Sequence, residues 1–364
     1  MKKTMKTATK RTKTIIAIAL ILLSCFSLSA MGGKEKGGKI RIGIAMPTKA
    51  LQRWNQDGAN MKQMFEQAGY EVELLYADND IAQQISQIEG MINNGCSVLV
   101  VASIDGSSLG VPLKEAKANG IPVIAYDRLI MNTDAVDYYA TFDNYMVGTI
   151  QGRYIEQTLN LKENNGRTYN MEIFSGDPGD NNALFYYDGA MDVLRPYLES
   201  GQLKVVSGQV TFAESAITNW LEEVAQNRME AILSSFYADG RSLDIVLAFN
   251  DSNALGATNA LVNNYKGSWP IITGQDCNIA NLKNIIAGRQ SMSVFKDTRS
   301  LASQVVAMVD ALVKGNEVPV NDTTTYFNGI KTVPSYLCEP VFADINNYQE
   351  LLVDSGYYTA DQLK

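Results

Sequence analysis

Histidine is absent from the 364-residue chain. Its absence removes every His-dependent triad, every His metal site and the commonest general acid–base. Cysteine is scarce: besides Cys25 there are only Cys96, Cys277 and Cys338. An odd, sparse set without a C-x-x-C is not a disulfide framework and argues against a zinc site. Small buried hydrophobes are the favoured reading, with one bridge, Cys277 to Cys338, left open. No Walker loop occurs and no G-x-G-x-x-G follows a strand, so nothing points to a nucleotide. After residue 40 no apolar run is long enough for a membrane-spanning helix.

The first 30 residues differ from the rest. Lys2, Lys3, Lys6, Lys10, Arg11 and Lys13 precede an apolar run from Ile15 to Leu23, and Leu28-Ser29-Ala30 offers a small residue for cleavage. This reads as a secretory signal over 1–30. A second exit is Leu22-Leu23-Ser24-Cys25, which resembles a lipobox with an atypical Leu before the Ser. Cleavage there, after residue 24, would leave Cys25 for lipidation, with the Gly-rich stretch over 31–38 as a flexible linker. Both exits export the chain, as a periplasmic protein or one lipid-anchored to the extracytoplasmic membrane face. Without the leader, 25 Lys and Arg face 39 Asp and Glu, a formal charge near −14. Such a surface repels nucleic acid and anionic lipid.

From residue 40, strand and helix signals alternate. Strands are expected at 39–46, 71–76, 97–101 and 121–125, helices at 56–68, 81–93 and 109–119, with a further short strand at 138–142. The pattern then restarts, with helices over 145–159, 183–199, 217–236 and 253–262 and strands over 170–175, 204–209, 245–249 and 271–273. Repeated β–α units imply parallel sheets with right-handed crossovers. Two similar halves in series suggest two lobes with a cleft between them. The expected division is 39–143 plus 279–324 for the first lobe and 144–278 plus 325–364 for the second. Several crossings between them would form a hinge.

The strand ends collect the unusual residues, and in open α/β sheets ligands bind beyond those ends. The apolar run Ile121 to Ala125 ends in Asp127-Arg128. Gln52-Arg53-Trp54-Asn55 follows the first strand, Asp180-Asn181-Asn182 the first strand of the second half, Asn250-Asp251 and Gln275-Asp276 later ones. Lys296 follows an apolar run, and Trp220 sits at the expected start of a helix. Carboxylates, amides and cations together suit a polyhydroxylated ligand, whose hydroxyls both donate and accept. For each residue alone, loop polarity, an ion pair or a helix cap explains as much, and core packing explains Trp54 and Trp220 as well as stacking does. Asp127, Asp251 and Asp276 could also supply the carboxylate pair of a glycosidase.

The residues resemble the periplasmic sugar-binding proteins of ABC transporters, in the ribose- and xylose-binding group, and most closely the ChvE-type multiple-sugar-binding proteins. The resemblance runs nearly end to end, through Gly43-Ile-Ala-Met-Pro-Thr-Lys49, Val101-Ala-Ser-Ile-Asp-Gly106, Val123-Ile-Ala-Tyr-Asp-Arg-Leu129, Tyr139-Ala-Thr-Phe-Asp-Asn144, Asp180-Asn-Asn-Ala183, Gly274-Gln-Asp276, Phe295-Lys-Asp-Thr-Arg299 and Val353-Asp-Ser-Gly-Tyr-Tyr358. It implies a two-lobed type I periplasmic binding protein, each lobe a doubly wound parallel sheet, joined by a three-segment hinge. It implies a monosaccharide, an aldose such as glucose, galactose, xylose or arabinose, held between the lobes without catalysis, cofactor or metal. By position, Arg53, Trp54, Asp127, Arg128, Asn182, Trp220, Asn250, Asp276 and Lys296 would contact it. The implied partner of a monomeric receptor is an ABC permease, with a sensor kinase or chemoreceptor as the alternative. A repressor of the same fold would need a DNA-binding helix-turn-helix where the export signal stands.

Overall fold

A computed structural model of the chain describes residues 39–163 and 166–364. The leader, the linker and Cys25 lie outside the described residues. The first half runs β1 (Arg41–Met46), α1 (Gln52–Gln67), β2 (Glu71–Tyr76), α2 (Ile81–Asn93), β3 (Val98–Val101), α3 (Gly110–Ala118), β4 (Val123–Tyr126) and β5 (Tyr138–Phe142). Every residue of β3 and β4 is buried, as expected of strands covered on both faces. The five strands are parallel in the order β2-β1-β3-β4-β5.

The second half runs α4 (Asn144–Thr158), β6 (Tyr169–Phe174), α5 (Asn181–Glu199), β7 (Leu203–Val205), α6 (Phe212–Ser215), α7 (Glu222–Phe236), β8 (Ile245–Ala248), α8 (Asp251–Asn264) and β9 (Ile271–Ile272). Its sheet is parallel in the order β7-β6-β8-β9. In each sheet the winding reverses beside the first strand, between β1 and β3 and between β6 and β8. The crevice at such a switch point is where open α/β sheets take ligands.

Burial follows the helical period. Along α1 the buried side chains are Arg53, Trp54, Asp57, Gly58, Met61 and Phe65, one face of a 3.6-residue repeat. That face, with Leu301, Val305 and Met308 from a later helix, covers one side of the first sheet; α2 and α3 cover the other through Ile88, Met91 and Leu113. The second sheet is likewise sandwiched, by α4 and α5 on one face and α7 and α8 on the other.

The remaining elements are α9 (Ile279–Ile286), β10 (Met292–Phe295), α10 (Thr298–Lys314), β11 (Ser335–Cys338) and β12 (Val341–Asp344). They move the expected lobe boundaries at 279 and 325. Helix α9 packs beside α8, and β10 extends the second sheet through a bridge from Val294 to Gln275 and an antiparallel pairing with β12. Of the helices and strands between residues 279 and 324, α10 alone returns to the first sheet, packing on α1. Strand β11 also belongs to the first lobe, because it pairs in parallel with β5 and covers that otherwise open edge. The chain therefore passes between the sheets three times, near Asp143, near Lys296-Asp297 and near Glu339-Pro340. The expected helix over 217–236 is also broken. Asn219 and Trp220 take left-handed backbone angles, φ 54° and 56°, and α7 begins only at Glu222.

Helices α4 and α5 approach at backbone distance. A Cβ on Gly148 would lie 1.9 Å from the carbonyl oxygen of Tyr186, and one on Gly189 2.1 Å from that of Tyr145. These are backbone atoms that cannot rotate aside. Gly148→Ala is expected to cost about 3 kcal/mol, read as a lower urea midpoint with an unchanged slope. An unchanged midpoint would mean that the two helices can separate without cost.

Candidate binding site

The carboxyl ends of the two sheets face one another across a small, polar-lined cavity, the place where open α/β sheets take ligands. Arg53 and Trp54 reach it from the first turn of α1, Asp127 and Arg128 from the end of β4. Asn250 and Ser252 come from the start of α8, Gln275, Asp276 and Asn278 from the turn after β9, and Lys296 from the middle crossing. Leu51, Asp180, Tyr186 and Trp220 complete the wall.

Arg53 is the hub. Its Nε donates to Asp57 at 2.9 Å, its Nη2 to Asp127 at 2.5 Å and its Nη1 to Asp276 at 3.5 Å. The guanidinium therefore ties α1, the end of β4 and the second lobe at one point. Burial works against its charge, yet Asp127, Asp57 and Asp276 outweigh burial and raise its pKa well above the ordinary value. Burial likewise pulls Asp127 upward, but Arg53, Lys296 and Arg128 overcome it and hold the carboxyl below its usual range. Lys296 Nζ lies 3.1 Å from Asp276 and 3.9 Å from Asp127. Arg128 donates to the carbonyls of Ser103 and Ile104, each at 3.1 Å. Its Nε sits 3.2 Å from Asp180, close enough to pair but not aligned as a hydrogen bond.

The two tryptophans are 3% exposed and both line the cavity. Trp54 lies beneath the guanidinium groups of Arg53 and Arg128, 4.9 and 5.2 Å from its ring. Trp220 donates its indole N–H to Asp180 at 3.2 Å. Its left-handed backbone is fixed by the Asn219 N–H, which donates to Asp177. Asp127, Asp276 and Cys277 are also left-handed, with φ of 59°, 96° and 51°. Each such residue costs about 1–3 kcal/mol. At Asp127 the strained carbonyl accepts from Tyr139, Thr141 and Asn182.

Eight of the nine residues singled out in the sequence line the cavity. Asn182 does not. It is fully buried, donates to the Asp127 carbonyl at 2.5 Å and accepts from the Tyr139 hydroxyl at 2.8 Å. Its amide is spent on joining the lobes. Asp180 and Gln275, named among the polar strand ends but not as ligand contacts, also line the cavity, and four lining residues went unread: Leu51, Tyr186, Ser252 and Asn278. So did Asp57 beneath the wall, although its i+4 spacing from Arg53 on one helix was a usable signal. Asp251 stands behind the wall. Its carboxylate accepts from the Asn278 N–H at 2.7 Å, Ser293 at 2.8 Å and Gln290 at 3.0 Å. Cys96, Cys277 and Cys338 are all free, so the bridge left open is not formed.

The fold and the paired strand-end residues agree with a match to the periplasmic binding protein domain over residues 42–317. The chain belongs to the periplasmic binding protein family. It is 48% identical over 354 residues to the multiple sugar-binding periplasmic receptor ChvE of Rhizobium radiobacter, covering 96% of this chain and 98% of that one. An ABC transporter solute binding protein from Clostridium phytofermentans, solved with bound β-D-glucose, is 66% identical and superposes with a TM-score of 0.88, over 89% of this chain and 100% of that one. A carbohydrate transporter solute binding protein from Chloroflexus aurantiacus, solved with D-glucose, is 33% identical with a TM-score of 0.82, over 89% and 98%. In this periplasmic binding protein the three site cations Arg53, Arg128 and Lys296 each have a carboxylate partner. No unbalanced positive charge awaits an anionic ligand.

Asp251 gives a pH signature. Burial, then the neighbouring Asp276, pushes its pKa from 3.8 to about 8, against the three hydrogen bonds it accepts. A carboxyl raised on folding binds its proton more tightly in the native state, so it lowers stability as pH rises from about 4 to about 8. Asp251→Asn removes that proton linkage. Its thermal midpoint is expected to fall less than the wild-type midpoint between pH 5 and pH 8. Parallel curves would show that Asp251 does not titrate in this window.

Proposed function

We propose that the protein is an extracytoplasmic receptor that captures a monosaccharide, an aldopyranose of the glucose type, between its lobes. It then delivers the sugar to an ABC permease. The observation that carries the reading is the closed wall of alternating donors and acceptors, Arg53, Asp127, Arg128, Asn250, Asp276 and Lys296, backed by two tryptophans and balanced in charge. Vicinal hydroxyls donate and accept at once and match such a wall, whereas a phosphate would bring unbalanced charge into it and an amino acid would bury a carboxylate and an ammonium that each need a partner. The glucose-bound relative at 66% identity and the sugar-binding receptor at 48% support the same class of ligand.

Closure is the working step. Asp127 and Arg128 stand on the first lobe, Asn250 and Asp276 on the second, and a sugar can touch all four only when the lobes meet. It favours the closed state by its differential affinity for that state. The permease would then recognise the closed arrangement of both lobes. The reading includes no chemical step on the sugar.

Calorimetry on a panel of aldoses, amino acids and nucleosides tests the ligand class. At least one aldose is expected to bind, and binding by nucleosides or amino acids alone would refute the reading. Asp127→Ala is expected to weaken the cognate sugar by about 2–4 kcal/mol, because it leaves Arg53, Lys296 and a ligand hydroxyl short of an acceptor. Unchanged affinity would remove Asp127 from the site.

Export follows from the leader, and we propose Cys25 as the point of membrane anchoring. Cells fed labelled palmitate are expected to label the wild-type protein and not Cys25→Ala. An unlabelled wild type would leave the unanchored periplasmic form.

A further inference from the structure

One feature of the cavity is unaccounted for by the ion pairs. Gln275 and Asn278 flank Asp276 on the turn after β9, and both line the cavity. The Oε1 of Gln275 and the Oδ1 of Asn278 are buried and have no hydrogen-bond partner in the protein. A buried acceptor without a donor is costly, and among the described residues these two are the unpartnered buried oxygens on residues that line the cavity. The Gln275 amide is otherwise held, its Nε2 donating to the Phe249 carbonyl at 3.0 Å. Its oxygen therefore cannot exchange roles with its nitrogen without losing that bond.

Asn278 is the more telling case. It occupies the position before the first turn of α9, where an asparagine ordinarily accepts from the helix's free N–H groups. Here its side chain makes no capping bond. Asn250, at the matching position of α8, does cap: its Oδ1 accepts from the Asn253 N–H at 2.9 Å. Asn250 is thus left with an N–H donor to offer the cavity, while Asn278 keeps its acceptor uncommitted. The turn itself is held firmly from behind. The Asp251 N–H donates to the Gln275 carbonyl at 2.9 Å, and the Asp251 carboxylate takes the Asn278 N–H.

Building on the sugar-binding reading, we propose that Gln275 and Asn278 determine specificity, each accepting a hydrogen bond from a ligand hydroxyl at the second-lobe end of the cavity. The first lobe and the middle crossing add the donors Arg53, Arg128 and Lys296 beside the acceptor Asp127. A ligand hydroxyl that meets the turn must donate to these two oxygens. A site built to bond a hydroxyl rejects the analogue that lacks it far more strongly than an apolar pocket rejects a missing methylene. The substrate class that follows is an aldopyranose with free hydroxyls facing the turn, and the analogues excluded are those deoxygenated or O-methylated there.

The test is calorimetry of D-glucose and its monodeoxy analogues on the wild type, Asn278→Ala, Asn278→Asp and Gln275→Met. In the wild type, deoxygenation at one or two ring positions is expected to cost at least about 50-fold in affinity. Asn278→Ala should shrink that penalty to under about 3-fold at one position and leave it intact at the others. Asn278→Asp keeps an acceptor oxygen and should retain the penalty. Gln275→Met should likewise remove the penalty at one position. Thermal midpoints of the variants separate a folding defect from a loss of recognition, and the Asp variant keeps the test decisive if the Ala variant is unstable. If the wild type binds glucose and both acceptor-removing variants keep the wild-type pattern of deoxy penalties, the proposal is wrong while the receptor reading stands. If the wild type binds no aldose, both fall.

Discussion

Arg53 bonds to carboxylates from three places at once: its own helix, the end of β4, and the turn after β9 on the other sheet. Taking such a charge out of water costs several kcal/mol, and only well-placed partners return that energy. The protein supplies them in layers. Tyr126 donates its hydroxyl to Asp57 from below, while Lys296 approaches Asp276 and Asp127 from the crossing. Deleting any single member would strand a buried charge, which costs about 3–5 kcal/mol. Because Asp276 stands on the turn after β9, the same cluster joins the two sheets across the site and sets its geometry.

The backbone around that charge cluster is held in shapes the chain would not choose alone. Asp127, Asn219, Trp220, Asp276 and Cys277 are all left-handed without being glycine. Four of them are secured by backbone hydrogen bonds from elsewhere: three donors on the Asp127 carbonyl, Asp177 on the Asn219 N–H, the Val294 carbonyl on the Asp276 N–H, and Ser293 and Tyr358 on Cys277. Strain of this kind survives only where the surroundings over-determine it, and it gathers at ligand sites. Here its effect is to present carboxylates and an indole edge at angles that a regular strand end or helix start would not allow.

How much of this could be read beforehand depended on the range of the forces involved. The parallel sheets were legible because strands buried on both faces, such as Val98–Val101 and Val123–Tyr126, leave a local apolar signature. Asp127-Arg128 stood out for the same reason, a charge pair closing an apolar run. Strand β11 was not legible as part of the first lobe. Its four residues carry no mark of their distant partner β5, and the pairing is a tertiary choice. The break at Asn219-Trp220 was hidden likewise, because an amphipathic pattern continues across it. Asn182 looked like its neighbours in a polar turn, and only the fold turns it onto the Asp127 carbonyl. Asn278 went unread, since sequence cannot tell a capping asparagine from one that keeps its acceptor free.

The charge balance of the cavity bears on which ligands can drive closure. Arg53, Arg128 and Lys296 already neutralise Asp57, Asp127, Asp180 and Asp276 to within about one unit. An ionic ligand would have to displace one of these pairs and would leave its partner buried and unpaired. A neutral polyol instead adds hydrogen bonds to groups that keep their ionic partners, and bonds to charged groups are worth about 1.5–3 kcal/mol each. A handful of them, shared between the lobes, exceeds the roughly 5.5 kcal/mol needed to carry a two-state equilibrium from 1:99 to 99:1. Such a site can therefore couple closure to a small uncharged sugar through hydrogen bonds alone.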